Sequence, residues 1–324
     1  MTFAIFQIVF FHAPYTFKSV TMSLILKNVE LFCIGGVDIF VFSSGLGCAF
    51  SYSRTNNLFE YMKKRLLRLY PSYLLFMLMW IPGYSHFIEK MPPRFMIGNI
   101  LGIQHFAISR YAINWYFPFI VLMYFFSPFF IELIRRAKKI WRFLIIIFIL
   151  MLFPVPFYGH IDYIIMAARL PIYAIGIYFA LHLDGDRTVP KKLAVFLGAA
   201  LIFGVFLMKY FYNTYDSVYM YRFGLWWFPF IFITPGLCFL ISWVCEKISS
   251  LHLKITGKIR TAATYISGIT LELYLVHIFF FMIYDKLYPE PDNLTVTVTV
   301  LLSFAAAVLL KTAADFLKNK LKLR

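Results

Sequence analysis

Charged residues are scarce in this sequence: Asp, Glu, Lys and Arg make up only 14% of its 324 residues, and just 15 of them are acids. A soluble domain carries roughly a quarter charged residues, so a water-exposed globular protein is excluded. The 61% hydrophobic content and a mean hydropathy of +0.76 place the chain in a lipid bilayer instead. Cysteine is rare as well. Cys33, Cys48, Cys238 and Cys245 all lie in apolar runs without disulfide or metal-ligand spacing, and read as small core residues. Phosphate-binding glycine loops, dinucleotide fingerprints, zinc clusters and nucleophile elbows are missing, so metal chemistry is not expected. No repeat, low-complexity segment or linker divides the chain, which implies a single integral-membrane domain over residues 1–324. No charged leader or small-residue cleavage site accompanies the first apolar segment, so a cleavable signal peptide is not expected.

Long apolar segments are what the chain does have. About 20 residues cross a ~30 Å hydrocarbon core. Ten spans are expected, at 1–17, 28–52, 72–87, 115–134, 143–158, 164–183, 193–211, 223–245, 266–288 and 294–314. The first is short for a spanning helix, and a further turn or more upstream is expected to complete it. The fold class is thus all-α, a polytopic membrane helical bundle. Gly35, Gly36, Gly45 and Gly47, with Ser43 and Ser44, give the second span small faces for close helix approach. The net charge of +16 does not point to nucleic acid, because the cations gather in short loops. Loops 54–71, 135–142, 184–192, 246–261 and 318–324 hold 21 Lys and Arg; the alternate loops hold 8. The positive-inside rule then puts the basic loops and both termini in the cytosol.

Polar chemistry concentrates between Gly35 and Tyr73. A carboxylate within a span, here Asp38, costs ~3 kcal/mol on insertion scales, so it is expected to have a use. The linker 54–71 reads as an amphipathic helix with Phe59, Met62, Leu66 and Leu69 on one stripe, basic residues beside it, and Pro71 closing it. Arg65 and Arg68 are three apart and offer forked donors to phosphate, with Lys63 and Lys64 adding charge. Anchoring to lipid headgroups is the other reading of that cluster, and the one that fits Arg135 to Lys139.

At about 1.5 Å per residue, His12 lies about 8 Å from the outer end of its span and Asp38 about 15 Å from the outer end of the next. An imidazole near a buried carboxylate is a candidate general base; the two could equally satisfy each other or nearby backbone. Ser267, Thr270, Tyr274 and His277, spaced 3, 4 and 3, form one polar stripe on the ninth span. Such a stripe lines a cavity or joins helices, and Glu272 sits on another face. Arg169 in the sixth span either holds an anion or pairs with an acid such as Asp162 or Asp38.

Taken in order, these pieces resemble the acyltransferase family 3 membrane proteins, which acylate cell-envelope and secreted carbohydrates. The resemblance runs through Phe11-His12-Ala13, Gly36-Val37-Asp38-Ile39-Phe40 with Ser44-Gly45, and Lys64 through Tyr73. It continues through Trp115-Tyr116 with Tyr124 and Pro128, Arg169-Leu170-Pro171 with Gly176, and Ser267 through Tyr274-Leu275-Val276-His277. It implies a bacterial cytoplasmic-membrane enzyme that moves an acyl group, usually acetyl, from cytosolic acetyl-CoA or another acyl-CoA to a sugar hydroxyl, without a metal. By that likeness His12 is the candidate general base and Arg65 and Arg68 are the candidate CoA-phosphate contacts; Asp38 or another acid is expected to orient His12, and Lys64 and Tyr73 to join the CoA-binding set. Trp115, Arg169, Glu272, Tyr274 and His277 belong to the substrate cavity. The carbohydrate acceptor, free or lipid-linked, is expected to be chosen at a cavity mouth near 86–114 and 209–222. One departure is that the family often carries an Arg ten residues before the histidine, where this chain has Thr2.

A transporter or flippase of a lipid-linked sugar would also use buried His, Asp and Arg in a polar interior. Pro154, Pro156, Pro229 and Pro235 supply kinks for such a gate, while the lack of repeat symmetry counts against it. A catalytically inactive membrane scaffold draws support only from the missing Arg.

Overall fold

The computed structural model describes residues 1–16, 19–55, 57–107, 111–112, 115–157, 160–182, 189–250, 254–290 and 292–321. Lys18, Arg110, Arg187, Lys322 and Arg324 from the loop comparison lie outside them, as do the ends of the fifth and sixth expected spans and parts of 86–114. Among the described residues there is no strand. The helices are α1 (Thr2–His12), α2 (Val20–Cys33), α3 (Gly36–Thr55), α4 (Leu58–Phe87), α5 (Pro93–Ile100), α6 (Gln104–Ala107), α7 (Tyr116–Arg136) and α8 (Ile140–Leu152). They continue as α9 (Ile161–Ala167), α10 (Leu170–His182), α11 (Lys191–Thr214), α12 (Ser217–Arg222), α13 (Phe230–Ser250), α14 (Lys254–Gly268), α15 (Thr270–Leu287) and α16 (Asn293–Lys320).

Seven stretches among the described residues are long and apolar enough to cross a bilayer: Val20–Thr55, Tyr116–Arg136, Ile140–Phe157, Ile161–His182, Lys191–Thr214, Phe230–Ile248 and Asn293–Lys320. An eighth exists if α14 and α15, bent by 67° at their junction, count as one span. The count therefore stops short of the expected ten. The first expected span is α1, whose 11 residues reach only about 16 Å. The third shares the 30-residue α4 with the basic segment.

Two expectations about helix ends are corrected. Pro71 does not close the basic helix, because α4 runs through both Pro71 and Pro82. A proline removes one backbone donor and crowds the carbonyl four residues back, which bends a helix without ending it when the turns on both sides are packed. The ninth expected span is not one straight helix either. It breaks after Gly268, where Ile269 leaves the helical region at φ −110°, ψ 11°, so Ser267 belongs to α14 while Thr270, Tyr274 and His277 belong to α15.

The chain falls into two compact units, each discontinuous in sequence: residues 1–36, 63–118 and 261–324 in the first, 37–62 and 119–260 in the second. In the first, α15 packs on α16 and on α1, and α1 packs on α2. Asp292 caps α16 by accepting from the Thr295 amide at 2.9 Å and its hydroxyl at 2.8 Å. Those hydrogen bonds hold its carboxyl below the ordinary carboxylate range. In the second unit α11 packs on α13, and α10 on α8 and α13. The outward faces are apolar, with Leu144, Phe148, Val195, Phe196 and Phe206 all exposed, as suits helices whose solvent is hydrocarbon.

Close approach in the second unit depends on the small residues the sequence places there. A Cβ on Gly45 of α3 would strike the Tyr173 carbonyl of α10, and one on Gly176 of α10 would strike the Phe42 carbonyl of α3. Neither obstacle is a flexible side chain, so Gly45→Val or Gly176→Val is expected to destabilise the protein by about 1–3 kcal/mol or more. Gly198 of α11 has nothing within 4 Å of an added Cβ. Gly198→Ala is therefore expected to be neutral or to stabilise by up to about 1 kcal/mol. Thermal unfolding in detergent should lower the midpoint for the first two and leave or raise it for the third.

Candidate functional site

The first unit brings two imidazoles together. Ala13 precedes Pro14, and a residue before proline is driven out of the helical region. Ala13 accordingly sits at φ −80°, ψ 118°, and α1 ends on His12 with its side chain exposed. Nδ1 of His12 lies 2.8 Å from the Ile8 carbonyl oxygen and 3.4 Å from Nε2 of His277. A carbonyl only accepts, so the His12 proton resides on Nδ1 and its Nε2 carries the lone pair. His277 is fully buried, and its Nδ1 lies 2.9 Å from the Leu273 carbonyl oxygen. The same logic leaves Nε2 of His277 as a lone pair facing the His12 Nδ1–H. The ring centroids are 5.1 Å apart at 62°.

Other polar groups on this framework find partners of their own. Ser72, one residue past Pro71, donates its hydroxyl to Glu272 Oε1 at 2.6 Å, both side chains being buried. Reading Pro71 as a helix end hid this pair, since it put Ser72 at a boundary instead of inside a turn. Thr2 donates to the Ala263 carbonyl at 2.6 Å and accepts from the Ser267 hydroxyl at 2.8 Å. Tyr274 meets His277 at 5.6 Å and Tyr116 at 5.1 Å between ring centroids. Trp115 lies half-buried with its ring edge-on to Tyr116.

The basic residues of α4 divide by burial. Lys64 and Arg68 are exposed, whereas Arg65 is buried. Tyr73 is buried among aromatics, stacked on Phe117 at 3.6 Å, and its hydroxyl donates to the Asn99 carbonyl at 2.5 Å. An apolar recess of about 480 Å³ lies along a different face of α1, lined by Phe3, Phe6, Gln7, Phe10, Phe32 and Phe304.

Asp38 and Arg169 belong to the second unit, where Nε of Arg169 lies 3.1 Å from Asp38 Oδ1. Both are sealed from solvent, at 0% and 2% exposure. Nη1 of Arg169 donates to the Ile165 carbonyl at 2.6 Å, and the guanidinium lies 5.2 Å from the centre of the Trp227 ring. Of the partners open to Arg169 in the sequence, the acid it takes is Asp38. Trp227 carries no sequence signal that could have announced it.

A family model described as an acyltransferase domain matches residues 2–312. No curated protein and no solved structure matches the chain.

Removing one member of a buried ion pair strands the other charge, at a cost of about 3–5 kcal/mol, whereas replacing both by apolar groups is often neutral or better. Asp38→Leu alone is expected to lose about that much stability. Asp38→Leu combined with Arg169→Met should recover most of it. Chemical denaturation in mixed micelles measures both; a single variant as stable as the parent would show that the pair does not hold this unit together.

Proposed function

We propose, from the premise that this chain belongs to acyltransferase family 3, that it is a membrane-embedded O-acyltransferase taking an acyl group, acetyl in chemical class, from acyl-CoA to a carbohydrate hydroxyl. The observation that carries this reading is the state of His12. Its Nδ1 proton is tied to backbone, its Nε2 lone pair is free of that bond, and the ring sits exposed at a helix end. That is what a general base needs.

In the proposed reaction the acceptor O–H gives its proton to His12 Nε2 as the oxygen attacks the thioester carbonyl. The C–S bond then breaks, and the departing sulfur takes the proton back from Nε2. A thiol has a pKa near about 8.5, so this leaving group needs little acid help. Products are the sugar ester and free CoA, and His12 returns to its starting form. Lys64, Arg65 and Arg68 are the proposed contacts for CoA phosphates, the exposed Arg68 and Lys64 being positioned to meet them first. The excess of cations in one set of loops supports a cytosolic face for that end, within a bacterial cytoplasmic membrane, with an acceptor that is free or lipid-linked.

His12→Ala is expected to lower turnover by about 100- to 10,000-fold, the usual contribution of a positioned base, with an unchanged melting midpoint. Release of free thiol from labelled acetyl-CoA is the assay, and turnover at the parental rate would refute the role. Arg68→Ala should raise the KM for acyl-CoA about tenfold through loss of a charge-assisted contact. An unaltered KM would leave Arg68 as a headgroup anchor only.

A further inference from the structure

The mechanism above gives His277 no task, yet its Nε2 lone pair is aimed at the back of the base, 3.4 Å from His12 Nδ1. We infer that His277 is a positioning residue for His12: a neutral imidazole acceptor that fixes the tautomer and ring orientation of the base and shares its Nδ1 proton in the transition state. The inference rests on His12 being the general base.

Three features support it. The Leu273 carbonyl, 2.9 Å from Nδ1 of His277, locks that ring with its proton on the far side, so the nitrogen facing His12 can only accept. His277 is fully buried on α15, with Tyr274 and Phe281 against its ring at 5.6 and 6.2 Å between centroids, which limits its rotation. The contact joins α1 to α15, two helices that pack on each other within one unit, so it is held by the fold.

Before reaction the His12 Nδ1–H is shared unequally, with the Ile8 carbonyl at 2.8 Å as the nearer acceptor. When Nε2 takes the acceptor's proton, His12 becomes an imidazolium and the same N–H becomes a charged donor. Hydrogen bonds from charged donors are roughly twice as strong as neutral ones, so the His277 lone pair gains most of its effect only once the proton has moved. An interaction stronger in the transition state than in the ground state raises turnover and leaves donor binding alone.

Three variants test this in the full-length protein with acetyl-CoA and a carbohydrate acceptor, reading kcat, KM and melting midpoint. His277→Gln can keep an acceptor oxygen near the position of Nε2, and should retain turnover within a few-fold. His277→Met fills similar space without an acceptor, and should lose roughly 10- to 100-fold in kcat at constant KM, the range of one hydrogen bond to a charged group. His12→Ala should be inactive. Met and Gln variants with equal kcat, whether both parental or both impaired, would overturn the positioning role while an inactive His12→Ala keeps the base. Turnover by His12→Ala would instead remove the base, and the inference with it.

Discussion

Hydrocarbon offers no hydrogen-bond partners, so every polar side chain carried into a membrane helix must meet its match inside the protein. That constraint orders the polar interior of this chain. Asp38 has Arg169, Glu272 has Ser72, Thr2 has Ser267 and the Ala263 carbonyl, and His277 has the Leu273 carbonyl. Each pair ties helices distant in sequence or fixes a ring in one tautomer. His12 differs from these in its exposure: its Nδ1 meets the Ile8 carbonyl, while the residue itself sits exposed at the end of a short helix.

The proposed base is assembled from neutral parts. A carboxylate behind His12 would bring a full charge into a medium where an isolated ion costs several kcal/mol. A backbone carbonyl and a second imidazole instead offer lone pairs without net charge, and respond when the proton arrives. The one buried ion pair of this set lies in the second unit, with its cation also against the Trp227 ring. Its two charges cancel locally, which fits a role in holding α3 to α10, where glycines already bring the backbones together.

Much of this was legible in the residues. Apolar runs located most of the helices, Ala13-Pro14 set the end of α1, and the six ordered motifs indicated the family that the domain match then showed. Gly45 was read as a contact residue and is one. Three things escaped. Proline was taken as a stop in α4, where packing carries the helix through. The stripe on the ninth span was drawn on a straight helix that breaks after Gly268, detaching Ser267 from Thr270, Tyr274 and His277. The two basic side chains on one face of α4 were read as equivalent, although Arg65 is buried and Arg68 is exposed.

The amino-acid sequence alone determined that this is a helical membrane protein, where its apolar segments lie, and which few polar residues those segments contain. Those properties follow from transfer free energy and from local backbone sterics, which act over a few residues. Only the tertiary structure decided that Arg169 takes Asp38, that Ser72 takes Glu272, and that His12 faces His277. Such partners stand 131, 200 and 265 positions apart, and no local rule ranks one distant polar group over another until packing has brought them within hydrogen-bond reach.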